Sequence, residues 1–251
     1  MKDYLCTMSS KEWFAEWFDT TYYHTLYKNR NDEEAEQFIS KLLSFLNLKE
    51  NASVLDLACG KGRHSVTLNK HGLTVLGVDL APNSIHEARK SQKTGLSFDV
   101  HDMREVIEGK SFDAIFNLFT SFGYFDDLHD NVRVIQSMHT MLNDEGILVI
   151  DFMNASKVIA NLVTKEEKEI DGIHFNIERV YDGQHIFKHI KFTDAGNDFH
   201  FTERVQALRK DDFYDLLAQN KFEIIRTFGD FSLNDFDENT SDRLIIIARK
   251  N

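Results

Sequence analysis

The fold is decided by the stretch Val54-Leu55-Asp56-Leu57-Ala58-Cys59-Gly60-Lys61-Gly62-Arg63-His64. An apolar run leads into two glycines one residue apart, and a helical apolar spacing follows the second glycine. This order predicts a strand, a tight turn and a helix, the unit in which α/β proteins hold nucleotide-like ligands. Glycine permits positive φ and close approach of a ligand, and the helix start presents unpaired N–H groups. The apolar positions of the predicted helix are Val66, Leu68 and Leu73.

A second apolar run, residues 73–79, ends in Asp79. An acid at the end of the second strand, about 20 residues beyond the glycines, is the group that grips the two hydroxyls of a ribose. The sequence therefore predicts a ligand that contains a ribose.

Two ligand classes use this layout, dinucleotides and S-adenosylmethionine. The dinucleotide pattern G-x-G-x-x-G requires a glycine at position 65, where this chain has Ser65. Asp56 followed by Ala58, Gly60 and Gly62 instead resembles the first motif of class I S-adenosylmethionine-dependent methyltransferases, an acid followed by G-x-G-x-G. The chain departs from that motif at Ala58, which keeps a small side chain in place of the first glycine.

Further landmarks carry the resemblance along the chain. It implies that Asp102 accepts a hydrogen bond from the adenine amino group, that Met103 packs on the adenine, and that residues 117–119 line the methionine part. Motifs support it over residues 50–155 and strand pattern over 210–250. The cofactor-binding residues that it implies are Tyr22, Arg30, Asp56, Ala58, Cys59, Gly60, Gly62, Arg63, His64, Asp79, Leu80, Asp102, Met103, Asn117, Leu118 and Phe119.

The fold implied is a Rossmann-like, seven-stranded, mostly parallel sheet with an antiparallel last strand and helices on both faces. Three alternating segments interrupt this rhythm and predict an antiparallel β-meander. We expect residues 1–166 and 209–251 to form the S-adenosylmethionine-binding domain, and residues 167–208 to form an inserted β subdomain. The three segments span residues 173–181, 185–192 and 199–208.

Residues 10–28 are rich in aromatic side chains, and the spacing of Trp13, Trp17 and Phe18 suits one face of a helix. Either this helix packs onto the core, or it forms a lid over the site. In the second case Tyr22, Tyr27 and Arg30 are the expected contacts, with Arg30 facing the methionine carboxylate.

Methyl transfer from a sulfonium needs orientation more than a nucleophile, and it needs a base where the acceptor must lose a proton. The candidate catalytic helpers are Tyr22, Tyr124 and Asp151. We expect no metal, because the histidines of the meander do not have ligand spacing. The acceptor could be methylated on nitrogen, oxygen or carbon.

The composition restricts the partners of the chain. It has 251 residues and a net charge of −12, which argues against binding to nucleic acid. Two cysteines give no disulfide framework, and the pattern contains no membrane span or signal peptide, so we expect a cytoplasmic protein. The exposed edges of the meander make a homodimer reasonable.

These observations predict a methyltransferase that acts on a small-molecule acceptor. Two alternatives stay open at this point: a nicotinamide-dependent oxidoreductase, and a non-catalytic binding module on the same fold. The missing glycine at position 65 argues against the first alternative. Weak or absent cofactor binding would identify the second.

Overall fold

Residues 13–28 and 32–251 are described by a computed structural model, and their backbone is organised around a seven-stranded sheet. Its strand order is β10-β11-β5-β4-β1-β2-β3. The order reverses at β1, between β4 and β2, and ligands of open α/β sheets bind at such a switch point. The strands are β1 (Ser53–Leu57), β2 (Thr74–Asp79), β3 (Leu96–Val100), β4 (Phe112–Asn117), β5 (Leu142–Met153), β10 (Phe222–Phe228) and β11 (Arg243–Lys250).

Strand β11 runs antiparallel to both β5 and β10, whereas the other neighbouring strands are parallel. Residues 244–248 of this strand are all buried, as expected for a strand covered on both faces. The predicted mostly parallel sheet with an antiparallel last strand is confirmed.

Helices cover both faces of the large sheet and bury their apolar stripes against it. One core cluster contains residues of α3, α4 and α5, and a second contains residues of α6 and α8. The helices are α1 (Trp13–Trp17), α2 (Thr21–Leu26), α3 (Asp32–Leu46), α4 (Arg63–Lys70), α5 (Pro82–Ala88), α6 (Leu128–Met141), α7 (Ala155–Ala160) and α8 (Lys210–Gln219). Within the part of the chain that the structure describes, no helix is both long and apolar enough to span a bilayer.

A four-stranded antiparallel sheet, which we call the insertion sheet, follows α7. It contains β6 (Lys165–Ile170), β7 (Ile173–Tyr181), β8 (His185–Asp194) and β9 (Asn197–Gln206). The sequence predicted the last three strands but not β6, whose residues Lys-Glu-Glu-Lys-Glu-Ile carry a single apolar side chain. An edge strand needs no alternating apolar face, so hydrophobic periodicity does not detect it.

Helices α1 and α2 lie against the insertion sheet. Trp17 and Leu26 share a buried cluster with Phe175, Ile177 and Ile190. Residues 13–28 are therefore packed into the fold.

The residues Asn143-Asp144-Glu145-Gly146 have the composition of a turn, but they lie within β5. The ladder to β4 pairs Phe112 with Leu142 and then Ala114 with Ile147. Residues 143–146 bulge between those pairs, with Glu145 at a φ of 59°. A bulge in the ladder thus takes the place of a separate turn.

The packing of the turn after β1 can be tested at Gly62, with Gly72, which follows α4, as the comparison. Gly62 has a φ of 80°, and a Cβ there would lie 2.6 Å from the Phe98 ring; Gly72 has a φ of 88° with no heavy atom within 4 Å. We expect Gly72→Ala to cost about 1 kcal/mol of backbone strain. Gly62→Ala should cost about 1–3 kcal/mol more, because Phe98 is buried and must shift.

Urea unfolding of both variants measures this difference. Equal losses in the free energy of unfolding would show that the Phe98 ring moves aside without cost, and that packing does not require the second glycine.

Candidate functional site

A cavity of about 610 Å³ opens at the carboxyl ends of β1, β2 and β4, and extends to α2 and the insertion sheet. Its surface is mostly apolar, with a few charged groups, as is usual for small-molecule sites. It brings together most of the predicted site residues. These are Ala58, Cys59, Gly60, Arg63, His64, Asp79, Leu80, Asp102, Met103, Leu118, Phe119 and Tyr124.

The turn after β1 is built from residues with left-handed backbone. Ala58 has a φ of 65° and Gly60 a φ of 56°. The backbone N–H of Gly60 donates to Oδ2 of Asp79 at 2.7 Å, which joins the turn to the end of β2. Ala58 occupies a conformation that glycine adopts without strain, which accounts physically for the small residue at this position.

Asp79 presents a carboxylate inside the cavity. Its Oδ1 accepts a second backbone N–H, from Ala81 at 2.9 Å. Burial raises the pKa of Asp79 above its ordinary value, although both backbone hydrogen bonds act in the opposite direction. Each carboxylate oxygen has two lone pairs, so the Asp79 oxygens can also accept hydrogen bonds from two adjacent hydroxyl groups.

Asp102 lies at the next strand end, beside Met103. Burial opposes ionisation of Asp102, but hydrogen bonds from Arg104 outweigh it and hold the pKa of Asp102 below its ordinary value. The Arg104 guanidinium binds both carboxylate oxygens and reaches Asp130 at 3.2 Å. Sequence reasoning did not include Arg104, although an arginine two residues after a predicted ligand acid is a readable signal.

The residues present fit S-adenosylmethionine. The turn leaves open space at Gly60, where a Cβ would meet no heavy atom within 4 Å. Asp79 offers a buried acceptor for a ribose, Asp102 an ionised acceptor for an amino group, and Leu80 and Met103 apolar surface for a planar ring. The groups that follow β1, β2 and β3 thus complement successive parts of S-adenosylmethionine.

Tyr22 is not part of the cavity lining. Its ring packs on Phe192 and Phe199, and its hydroxyl donates to Asp194 at 2.8 Å on the insertion sheet. Tyr27, another expected contact, lies in the cavity lining together with Tyr23. The difference is one of helical phase, which aromatic density alone does not fix. Arg30 lies outside the described residues.

Three predicted residues lie beneath the cavity and not in its lining. Asp56 is buried and accepts a hydrogen bond from the Ser65 hydroxyl at 2.5 Å, and Asn117 donates to the backbone carbonyl of Leu57 at 3.0 Å. Gly62 packs on Phe98. These residues brace the strand ends and the turn, so any contribution to binding is indirect.

Asp151 has a structural environment. Its carboxylate accepts the backbone N–H of Phe119 at 2.8 Å and Nε of Arg243 at 2.8 Å, and only 1% of its side chain is exposed. Arg243 also donates to the Thr120 hydroxyl at 3.0 Å. Phe119 and Thr120 are consecutive residues with φ values of 64° and 60°. This buried ion pair thus holds a strained turn at the end of β4, where Phe119 lines the cavity.

The far end of the cavity carries residues that sequence reasoning missed. Arg179, Lys188 and Glu203 line it from β7, β8 and β9. Sequence reasoning considered the histidines of the meander and did not include these three residues. Strand alternation places each of these residues on the same face as buried or partly buried apolar neighbours, and that was the available signal.

A family model described as a methyltransferase domain matches residues 48–230. The chain belongs to this methyltransferase family. The predicted class I methyltransferase, its fold and its S-adenosylmethionine cofactor are confirmed, and the nicotinamide alternative is set aside.

Relatives of known sequence agree with this assignment. The methyltransferase is 28% identical over 237 residues to the glycine/sarcosine/dimethylglycine N-methyltransferase of Actinopolyspora halophila, covering 89% of this chain but 40% of that protein. It therefore spans less than half of that relative's length. It is 29% identical over 231 residues to the glycine/sarcosine N-methyltransferase of Aphanothece halophytica, covering 88% of this chain and 83% of the relative.

Solved structures share the fold of the methyltransferase. An S-adenosylmethionine-dependent methyltransferase from Clostridium acetobutylicum superposes with a TM-score of 0.78 at 19% identity, covering 92% of this chain and 96% of the other. The sugar N-methyltransferase KedS8 from Streptoalloteichus superposes with a TM-score of 0.69 at 22% identity, covering 91% and 92%.

Asp151→Asn tests whether the ion pair between Asp151 and Arg243 holds the turn at the end of β4. This change leaves the Arg243 guanidinium largely buried beside a neutral amide, and breaking such a pair costs about 3–5 kcal/mol. Chemical unfolding should show that loss. Asp235→Asn, which breaks an exposed pair with Arg226, is the matched control and should cost about 0–1 kcal/mol. Equal effects of the two variants would contradict the clamp.

Asp56 makes the stability of the methyltransferase depend on pH. Burial raises the pKa of Asp56 to about 6, above the ordinary value of an aspartate. The folded state therefore holds this proton more tightly than the unfolded chain, and stability is lost as pH rises from about 4 to above 6. By the usual conversion the loss is about 3 kcal/mol.

Asp56→Asn should remove this pH-dependent loss of stability. Compared with the unsubstituted protein, the variant should therefore gain more stability at pH 8 than at pH 4.5. Urea unfolding at both values measures the change, with Asp144→Asn in the exposed bulge of β5 as control. An unaltered pH dependence in Asp56→Asn would assign the effect to another group.

Proposed function

We propose that this methyltransferase transfers the methyl group of S-adenosylmethionine to the nitrogen of a small-molecule amine. The observation that carries the proposal is a single cavity that joins Asp79, the carboxylate proposed to bind a ribose, to a polar wall on the insertion sheet. Its volume of about 610 Å³ lies within the range typical of small-molecule sites.

The covering of the cavity favours a small acceptor. Helices α1 and α2 pack on the insertion sheet, and Trp17 Nε1 donates to Glu203 Oε1 at 2.7 Å across that contact. A large substrate would have to displace these packed segments. The net charge of −12 further disfavours nucleic acid as acceptor.

The groups in the cavity position the cofactor and the acceptor. S-adenosylmethionine supplies an activated methyl group when bound, so the protein need not provide a covalent nucleophile. Asp79 and Asp102 fix the two ends of the nucleoside part, and Phe119 and Tyr124 form the surface on which an acceptor would rest. Orientation of this kind can supply up to about 7–11 kcal/mol of the barrier reduction.

Two observations favour nitrogen over oxygen as the atom that is methylated. These are the contacts of the candidate catalytic residues Asp151 and Tyr124, and the names of the related proteins. Asp151 is held by Arg243 and the Phe119 N–H, and the Tyr124 hydroxyl donates to the Thr120 carbonyl. Neither is placed to remove a proton from an alcohol. A neutral amine presents its lone pair without such a base. Three of the four proteins compared above are named as N-methyltransferases of glycine, sarcosine or sugars.

We further propose a cytoplasmic location, supported by the two-cysteine composition, and a homodimer, supported by the edge strands β6 and β9 of the insertion sheet. The inserted subdomain predicted at residues 167–208 is proposed as the part of the chain that covers the acceptor end. Sedimentation velocity distinguishes a dimer from a monomer.

Asp79→Ala should weaken binding of S-adenosylhomocysteine at least about tenfold, because two charge-assisted hydrogen bonds to a ribose are lost. Isothermal titration measures the change. Asp99→Ala removes an exposed carboxylate at the end of β3 and should leave the affinity unaltered. Unchanged affinity in Asp79→Ala would remove Asp79 from the ribose role.

The reaction itself is tested by incubating the protein and labelled S-adenosylmethionine with amines and with alcohols of matched carbon skeleton. We expect transfer to amines. Transfer to the alcohols alone would overturn the nitrogen assignment. Tight cofactor binding without transfer to any member would favour a binding module.

A further inference from the structure

One cross-strand row of the insertion sheet is charged where its neighbours are apolar. In this charged row Arg179 of β7 pairs with Lys188 of β8, and Lys188 pairs with Glu203 of β9. All three side chains line the cavity. The rows on either side are Ile177, Ile190 and Phe201, and Tyr181, Ile186 and Val205.

Placing charges in the middle of an apolar sheet face is costly unless each charge is compensated. Glu203 is compensated within the wall. Its oxygens accept Trp17 Nε1 at 2.7 Å and the Tyr27 hydroxyl at 2.8 and 2.9 Å. Arg179 is compensated by Glu166, whose Oε2 lies 2.6 Å from Nη2. Both groups therefore have firm partners in the protein.

Lys188 is compensated less well than its two neighbours. Its side chain is 13% exposed, and its Nζ lies 3.7 Å from Glu203 Oε2, beyond hydrogen-bond distance. Its nearer partner is the neutral Tyr27 side chain, whose hydroxyl accepts a hydrogen bond from Nζ and whose ring centroid lies 4.4 Å from Nζ. Burial lowers the pKa of Lys188, and the attraction of Glu203 does not restore it, while Arg179 and Lys168 add repulsion. An ammonium in this state gains from an incoming anion.

We propose that the acceptor carries an anionic group, a carboxylate or a phosphate, in addition to its amine, and that Lys188 binds this group. The inference rests on the proposed function and names the substrate class of the same cavity. If the acceptor carried an amine and no acidic group, Lys188 and Arg179 would repel its protonated form. An acceptor with an acidic group as well turns the same wall into a means of orientation, with the amine directed away from Lys188.

The first test compares acceptors that differ in the acidic group alone. The pairs are glycine with glycinamide, sarcosine with sarcosinamide, and glucosamine 6-phosphate with glucosamine. We expect a KM about tenfold or more lower for the anionic member of at least one pair, and the pair that shows it distinguishes carboxylate from phosphate. Equal or better use of the neutral members would overturn the inference and leave the proposed function standing.

The second test assigns the effect to the side chain. Lys188→Gln should raise the KM for the anionic acceptor about tenfold, with kcat changed less and the affinity for S-adenosylhomocysteine unchanged. Lys188→Arg should restore part of the loss, because it keeps the charge. Lys191→Gln is the matched control, since Lys191 lies on the same strand and is exposed on the opposite face.

Loss of the anionic preference in Lys188→Gln, with retained folding and cofactor affinity, supports the inference. An unchanged preference overturns it. Absence of transfer to every amine by protein that binds S-adenosylhomocysteine would remove the proposed function, and with it this inference.

Discussion

A hydrogen bond of 2.7 Å from the Gly60 amide to Asp79 joins the end of β1 to the end of β2, and the site depends on it. It sets the distance between a turn of left-handed residues and a buried carboxylate. The parallel sheet makes this possible, because neighbouring parallel strands end at the same edge. Once that spacing is fixed, the ends of β3 and β4 bring Asp102 and Phe119 to the same cavity.

The acceptor end depends on a different kind of restraint. Phe119 and Thr120 adopt backbone angles that ordinary residues avoid, and a buried ion pair between Asp151 and Arg243 compensates for them. The last strand of the sheet therefore serves the site although it contributes no residue to the cavity lining. Its antiparallel insertion beside β5 brings Arg243 within reach of the turn.

Much of the cofactor half could be read from the sequence because its residues follow strand ends in a fixed order. Asp79, Asp102 and the glycine turn are local to those ends, and the pattern of apolar runs locates them. The acceptor half was less accessible. Tyr22 and Tyr27 differ by helical phase, β6 has no apolar alternation, and the charged row depends on the register between strands. Register and phase are set by tertiary packing, which a single sequence records weakly.

The contact between Trp17 and Glu203 spans 186 residues of sequence. During synthesis the segment that contains α1 and α2 therefore leaves the ribosome long before β9, on which it packs. Its tryptophans and tyrosines lack that surface until the chain has been made as far as Glu203. The cofactor half, complete by β5, is assembled earlier than the wall that faces it. The order of the chain thus makes the acceptor end the last part of the site to form, and the part most exposed to aggregation on the way.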